Sequence, residues 1–324
     1  MYIAEPEIRS LLTYEPLIPA LRQALIDFSA GGVDQPPRLI LRSNHTEGPN
    51  NGWFATMPVV YQDVMAVKTV TFFPGNAELG PERNLPTHMA VIELLSRTTG
   101  EPIALMNGRL ITEMRTAAVS AVALDALASP HVTSLGILGS GVQARSHLAA
   151  FRLVRPSLAD VRIWSRTAEN ARRLAEEASL PRSENRDLGH PFQFGPRATS
   201  IEEAASADVV LVATASPTPV LMGRWLNPDA LVISVGAVGP TVRELDDETL
   251  HTSTIVAESR QAAERESGDI VLSGSRVQAE IGEILAHAQR VPTGGRILYK
   301  SVGMAIEDLV AARLVWQARM AAGR

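Results

Sequence analysis

Val132-Thr-Ser-Leu-Gly-Ile-Leu-Gly139-Ser140-Gly141-Val142-Gln143-Ala144-Arg-Ser-His147 is the stretch from which the fold is read. Leu135 to Leu138 reads as a short buried strand; it breaks at Gly139-Ser140-Gly141, and a helical pattern follows. Strand, glycine turn and helix in this order cradle a pyrophosphate. Gly139 permits the tight turn, Gly141 leaves its backbone open to a phosphate, and Ala144 lets the helix pack closely on the strand. The start of the helix adds free N–H groups and a partial positive charge. The stretch therefore predicts a bound dinucleotide.

Working outward, Asp160–Trp164 reads as the second strand, and it runs into Ser165-Arg166-Thr167. A chain built for NAD places an acid near that strand end to accept from the ribose 2′-OH. A guanidinium and two hydroxyls stand there instead, and a forked, permanently charged donor suits a 2′-phosphate. NADP(H) is the expected cofactor, with NAD(H) the alternative. Further strands are expected at Asp208–Thr214, Ala230–Val235 and Thr254–Ala257, with helices between them as in a doubly wound sheet. The strand ends Thr214-Ala215 and Ser234-Val235-Gly236 carry small residues that leave room for a cofactor.

The preceding region reads differently. A helix is expected over Glu5–Ser29, short strands around Arg38–Leu41 and Gly52–Val60, and a strand over Val64–Phe73. A loop follows over Pro74–Pro86, with its Pro74–Arg83 part shaping a substrate pocket. Strands then come at His88–Leu95 and Pro102–Met106, and Asn107-Gly108 reads as a hairpin turn. An alanine-rich helix is expected from Thr112, as N-cap, to Ala128. Arg182–Pro196 reads as an irregular surface loop, and Met304–Met320 as a last helix returning to the first region. The expected class is α/β: a Rossmann domain over 116–302, and an α+β substrate and dimerisation domain from 1–115 with 303–324.

The 324 residues include no cysteine, which excludes thiolate catalysis, disulfides and Cys-bound zinc. A net charge of −5 gives no broad case for nucleic acid or an anionic membrane. No apolar run reaches membrane-spanning length, and a cytoplasmic protein is expected. In the first region three cations stand out: Arg38 after Pro36-Pro37, Lys68 inside an apolar strand, and Arg115 in an apolar helix. Cations on buried elements are costly unless they meet an anion. Each either pairs with a structural carboxylate or snorkels to solvent, or the three together clamp a substrate carboxylate. His88 has no second His at metal-ligand spacing, so no metal is expected.

Several ordered stretches together resemble the ornithine cyclodeaminase/mu-crystallin family over nearly the whole chain, and within it the ketimine-reductase branch. They are Thr116-Ala-Ala-Val-Ser-Ala, Gly139-Ser-Gly-Val-Gln-Ala, Val161-Arg-Ile-Trp-Ser-Arg-Thr, Arg243-Glu-Leu-Asp-Asp, Glu266-Ser-Gly-Asp, Leu272-Ser-Gly and Lys300-Ser-Val-Gly-Met-Ala-Ile-Glu-Asp. The resemblance implies a homodimeric, NAD(P)H-dependent enzyme that transfers hydride to the C=N bond of a small cyclic imino acid. It implies that Arg38, Lys68 and Arg115 hold the substrate carboxylate, with Thr87 and His88 beside the nicotinamide and substrate. It further implies cofactor contacts from Gly139, Gly141, Val142, Gln143, Arg115, Ser165, Arg166, Thr167, Asn170, Thr214, Ala215, Val235 and Ser301. Cyclodeaminases carry an aspartate two residues after the Val-Gly of the fifth strand. Val238 stands there and cannot move a proton. The resemblance thus points to a reductase, with an alanine- or arginine-type amino-acid dehydrogenase, an ornithine cyclodeaminase, or a non-catalytic NADPH-dependent binding protein as alternatives.

Overall fold

The computed structural model describes residues 1–43, 51–78, 85–179, 195–290 and 294–323. They fall into two units, Met1–Arg115 with Met304–Arg324, and Thr116–Gly303. Among them no helix is long and apolar enough to cross a membrane.

In the first unit, alternation of apolar and polar residues builds a six-stranded sheet. Its chain order is β1 (Tyr2–Ile3), α1 (Glu5–Leu11), α2 (Tyr14–Ser29), β2 (Leu39–Ser43), β3 (Gly52–Tyr61), β4 (Val64–Phe72), β5 (His88–Ser96) and β6 (Pro102–Asn107), followed by α3 (Arg109–Leu127). The strand order is β1-β6-β5-β4-β3-β2, antiparallel except for β1 on β6. One face, with Met57, Ala66, Lys68, Ile92 and Leu94, is buried. The C-terminal helix (Ala305–Ala322) packs on β3, β4 and β5. On the other face Leu39, Leu41, Met89, Val91 and Leu105 lie exposed.

Three local expectations are corrected. The helix expected over Glu5–Ser29 is two helices, because Leu12 and Thr13 are extended. Pro16 lies in the first turn of α2, where its missing N–H loses no bond. Asn107-Gly108 is not a hairpin: β5 and β6 are joined across residues 97–101, where Ser96 N–H donates to the Glu101 carbonyl and Gly100 takes φ +72°. Asn107 Oδ1 instead accepts from Arg109 N–H at 3.0 Å, so α3 starts at Arg109 and Thr112 lies inside it. Of the loop expected over Pro74–Pro86, residues 74–78 form a short 3₁₀ turn and 79–84 lie outside the described residues.

The second unit alternates strand and helix. It comprises β7 (Ser134–Leu138), α4 (Val142–Val154), β8 (Asp160–Trp164), α5 (Ala168–Ser179), β9 (Arg197–Ala198), α6 (Ile201–Ala205), β10 (Val209–Val212) and β11 (Leu231–Ser234). Then come α7 (Asp247–His251), β12 (Ser253–Ala257), α8 (Arg260–Glu266), α9 (Gly268–Ser273), β13 (Ala279–Glu280), α10 (Ile281–Leu285) and β14 (Arg296–Lys300). All eight strands are parallel, in the order β13-β12-β14-β11-β10-β7-β8-β9. This is a doubly wound sheet whose order reverses at β7, the place where such sheets bind ligands beyond the strand ends. Strand β14 escaped the sequence pattern because its short apolar run lies between Arg296 and a buried Lys300. The surface loop expected over Arg182–Pro196 lies outside the described residues up to 194.

Two glycines set the spacing around β7. A Cβ on Gly136 would stand 1.8 Å from the Ala204 carbonyl oxygen, so α6 rests on the strand itself. Gly139 has φ +124°, and a Cβ there would stand 2.2 Å from the Ala213 oxygen. On α4, His147 is wholly buried: Nδ1 meets the Gln143 carbonyl at 2.7 Å and Nε2 meets Ser120 Oγ at 2.9 Å. With Nδ1 donating, Nε2 accepts from the serine and the ring is neutral.

Burial lowers the His147 pKa to about 4. As pH falls below the unfolded value near 6.5, the unfolded chain takes a proton that the native chain refuses, so stability declines until about pH 4. Going from pH 7 to pH 5 is expected to remove ~2 kcal/mol through this residue. Urea unfolding of the wild type and a His147→Gln variant at both pH values checks this: the variant should show a shallower decline by that amount.

Candidate functional site

The turn after β7 is held on both sides. Gly139 N–H donates to the Trp164 carbonyl at 2.9 Å, and Ser140 Oγ lies 2.9 Å from Ser165 Oγ, tying the turn to the end of β8. Gly141 is the N-cap of α4 and no side chain caps the helix there. A Cβ added at Gly141 would meet nothing within 4 Å, so the space beside the helix start is open. Gln143 Oε1 is buried in the first turn with no hydrogen-bond partner among the described residues. Beyond β8, Ser165 is half-buried and Arg166 and Thr167 are exposed. Asn170 N–H donates to the Thr167 carbonyl at 3.0 Å, and Asn170 Oδ1 accepts from Arg173. The next acid, Glu169, is paired with Arg172 at 2.7 Å. Open glycine, uncapped helix start and cationic strand end fit a phosphorylated dinucleotide.

The ends of β10, β11 and β14 carry Thr214, Val235 and Ser301 just beyond their last residues, with Ala215 exposed beside Thr214. Beneath them lies a polar network that sequence reading missed. Glu244 Oε1 accepts from Thr214 N–H at 2.8 Å and from its hydroxyl at 2.7 Å; Oε2 accepts from Ser234 Oγ at 3.3 Å. Lys300 Nζ donates to Ser234 Oγ and to Asp269 Oδ2, both at 2.8 Å. Burial pushes the Glu244 carboxyl up to about 7, against the pull of Lys300 and of the Thr214 donors. Glu258 accepts from Ser301 Oγ and from the N–H groups of Val302 and Gly303 at 3.1 and 3.0 Å, which fixes the segment after β14. Arg243, Asp246 and Asp247 around Glu244 read as surface, so nothing local marked it as a buried acid.

In the first unit Lys68 projects from the buried face of β4 and is 4% exposed. Its Nζ lies 2.6 Å from Asp308 Oδ2 and 3.5 Å from Thr112 Oγ1. Arg115 Nη1 pairs with Glu307 Oε2 at 2.5 Å, and its Nε with Asp308 Oδ1 at 3.2 Å. Two of the three expected cations thus meet carboxylates of the C-terminal helix. Burial lowers the Lys68 pKa to about 8; Asp308 opposes this, while the charges of Arg115 and Arg38 reinforce it. Arg38, half-buried just before β2, is therefore close enough to be felt electrostatically. Glu307 and Asp308 were visible as two acids opening an apolar helix, a place where the helix dipole favours them. Thr87 Oγ1 and His88 Nδ1 lie 3.2 Å apart, and the His88 ring stacks at a tilt on Phe72 with centroids 4.4 Å apart. Partial burial holds the His88 imidazole below its usual pKa. A lysine whose pKa burial has lowered, beside two arginines and largely shielded from water, can donate a proton and attract an anion.

A family model described as the ornithine cyclodeaminase/mu-crystallin family matches residues 2–322. The chain belongs to this family. The ornithine cyclodeaminase/mu-crystallin relatives include the ketimine reductase mu-crystallin of Mus musculus, 39% identical over 93% of this chain and 91% of that one. The structure of Thermococcus litoralis Δ1-pyrroline-2-carboxylate reductase with NADH and L-proline is 32% identical, with TM-score 0.87 over 100% of this chain and 98% of that one. An archaeal alanine dehydrogenase dimer with bound NAD is 27% identical, with TM-score 0.87 over 100% and 97% of the two chains. In this family member Val238 follows β11 as a side chain 48% exposed, and it offers no group that transfers a proton.

Replacing Asp308 by asparagine is expected to lower the Lys68 pKa further and to cost about 3–5 kcal/mol of stability, the penalty for a buried charge stripped of its partner. Lys68 and Lys300 are the chain's only lysines. Two ζ resonances in a lysine-labelled protein, followed by NMR against pH, report the shift; an unchanged Lys68 titration would contradict the pairing.

Proposed function

We propose that the protein is an NAD(P)H-dependent reductase of small cyclic α-imino acids, of the ketimine or Δ1-pyrroline-2-carboxylate type, with NADP(H) as the preferred cofactor. The observation that carries this reading is Lys68: buried, 2.6 Å from Asp308, an acid it shares with Arg115, and within electrostatic reach of Arg38. The mouse ketimine reductase and the Thermococcus reductase support it. Gly139, Gly141, Val142 and Gln143 would hold the pyrophosphate; Ser165, Arg166, Thr167 and Asn170 the 2′-phosphate end; Thr214, Ala215, Val235 and Ser301 the nicotinamide half. The cofactor would supply a hydride to the C=N carbon.

Arg38, Lys68 and Arg115 take the substrate carboxylate, with the Glu307 and Asp308 contacts holding Lys68 and Arg115 in place. Fixing that anion orients the imine, and orientation of this kind contributes several kcal/mol of barrier lowering, on the order of magnitude of intramolecular reactions. Lys68 Nζ gives its proton to the imine nitrogen as the carbon takes hydride, so that one C–H and one N–H bond form and the double bond becomes single. A pKa near 8 leaves the ammonium abundant at neutral pH and willing to part with its proton. Lys68 is 4% exposed, so bulk water has little access to its ammonium.

A second reading runs the same chemistry backwards, as an amino-acid dehydrogenase. The likeness to the archaeal alanine dehydrogenase favours it. In both readings the protein is a homodimer. The exposed face of the six-stranded sheet, with Leu39, Leu41, Met89, Val91 and Leu105 in register across β2, β5 and β6, is an apolar surface that suits a second copy.

The deciding assay follows NADPH and NADH absorbance with Δ1-piperideine-2-carboxylate, Δ1-pyrroline-2-carboxylate and, in reverse, L-alanine. Imine-dependent oxidation of NADPH is expected, with turnover falling as pH rises through about 8. Lys68→Met should remove that limb and lower turnover about 100-fold or more; full turnover at saturating substrate would take Lys68 out of the chemistry. Arg166→Ala should weaken NADPH and spare NADH. Tight NADPH binding with no oxidation by any imine would favour a binding protein instead. For assembly, sedimentation equilibrium should give a dimer for the wild type and a monomer for Leu105→Asp; a wild-type monomer would refute the dimer.

A further inference from the structure

Glu244 is a carboxylate buried to 0% exposure that the proposed chemistry does not use. Its backbone is pinned. Glu244 N–H and Leu245 N–H donate to Asp269 Oδ1 at 2.8 and 3.0 Å, and its carbonyl accepts from Val220 and Leu221 N–H. The carboxylate occupies the space beside Gly236 where any other residue would place a side chain. A Cβ at Gly236 would come 2.2 Å from its carboxyl carbon and 2.2 and 2.3 Å from its oxygens. Gly236 has no left-handed φ, so the reason for glycine there is room, not backbone freedom.

That placement commits the Thr214 hydroxyl. Its only hydrogen goes to Glu244 Oε1 at 2.7 Å, and one lone pair receives Ser216 N–H at 3.2 Å. One lone pair is left, so Thr214 Oγ1 can accept one more hydrogen bond and cannot donate any. Thr214 stands half-buried at the carboxyl end of β10, in the half of a doubly wound sheet that holds the second mononucleotide. We infer that Glu244 is a positioning residue of the cofactor site: by taking both donors of Thr214 it turns that hydroxyl into an obligate acceptor. The group it receives is then an O–H or N–H of the nicotinamide nucleoside, never an anionic oxygen. The groups facing Glu244 fit this role. Ser234 Oγ meets its other oxygen, and Lys300 and Asp269, paired with each other, supply charges of opposite sign. The inference rests on the cofactor assignment proposed above.

The test titrates NADPH, by its fluorescence, into the full-length protein with no imino acid present. Thr214→Val and Glu244→Ala should each weaken NADPH by about tenfold, the scale of one hydrogen bond, and the double variant should lose no more than either alone. Gly236→Ala, which drives the carboxylate out of place, should match them. Thr214→Ser, which keeps the hydroxyl, and Glu244→Gln, whose carbonyl can still accept both donors, should stay within about threefold of wild type. Additive losses, or wild-type affinity in folded Glu244→Ala or Gly236→Ala, would overturn the role of Glu244. Should Glu244→Ala not fold, Gly236→Ala against Thr214→Val carries the same comparison. A wild-type protein that binds neither NADPH nor NADH would instead overturn the cofactor assignment itself.

Discussion

Both lysines of this chain are buried against an aspartate. Lys68 lies 2.6 Å from Asp308, and Lys300 lies 2.8 Å from Asp269. An ammonium withdrawn from water is tolerable only when an anion is withdrawn with it and the remaining donors find acceptors. That requirement dictates much of the surrounding architecture. It brings the first turn of the C-terminal helix onto the fourth strand of one sheet, and the start of α9 under the end of the last-formed strand of the other. Every other cation is an arginine or a histidine, and the forked, weakly hydrated donors of arginine serve it at the surface and, at Arg115 and Arg152, in the interior.

The same economy of space governs the parallel sheet. Backbone approaches backbone at Gly136 and Gly139, and a carboxylate fills the place of a side chain at Gly236. Close contact at these points lines up the ends of β7, β10 and β11, so the residues that follow them share one edge. Polar side chains at that edge are then fixed by buried acids: Thr214 by Glu244, and Ser301 by Glu258. Such sites, built on strand ends with supporting hydrogen bonds, hold their geometry better than free loops do.

Much of this was legible in the residues themselves. Residues 132–147 pointed to the doubly wound fold because a second strand, Asp160–Trp164, follows them; the glycine turn alone is a common feature. The family was legible from motifs spread across the chain. Local errors came where two physical readings compete for one signal. Asn107-Gly108 looks like a hairpin turn, yet the asparagine caps a helix, since the same side chain serves both purposes. Leu12-Thr13 broke a helix that apolar spacing had run together. Strand β14 was hidden because a lysine at its end reads as surface until its aspartate is seen. Glu307 and Asp308 were visible as acids, but their pairing with Lys68 and Arg115 could not be read, because they lie far along the chain, 193 residues from Arg115 in the case of Asp308.

That separation shapes how the polypeptide leaves the ribosome. The second unit is a continuous run, Thr116–Gly303, and can close as soon as its own strands have emerged. The first unit must wait, its sheet synthesised early but lacking the helix that covers it and the two acids that neutralise its interior cations. That half of the molecule becomes native only once the helix Ala305–Ala322, with Glu307 and Asp308 in its first turn, has joined the sheet, so a break in the chain anywhere between Arg115 and Met304 is a defect of the first unit as much as of the second.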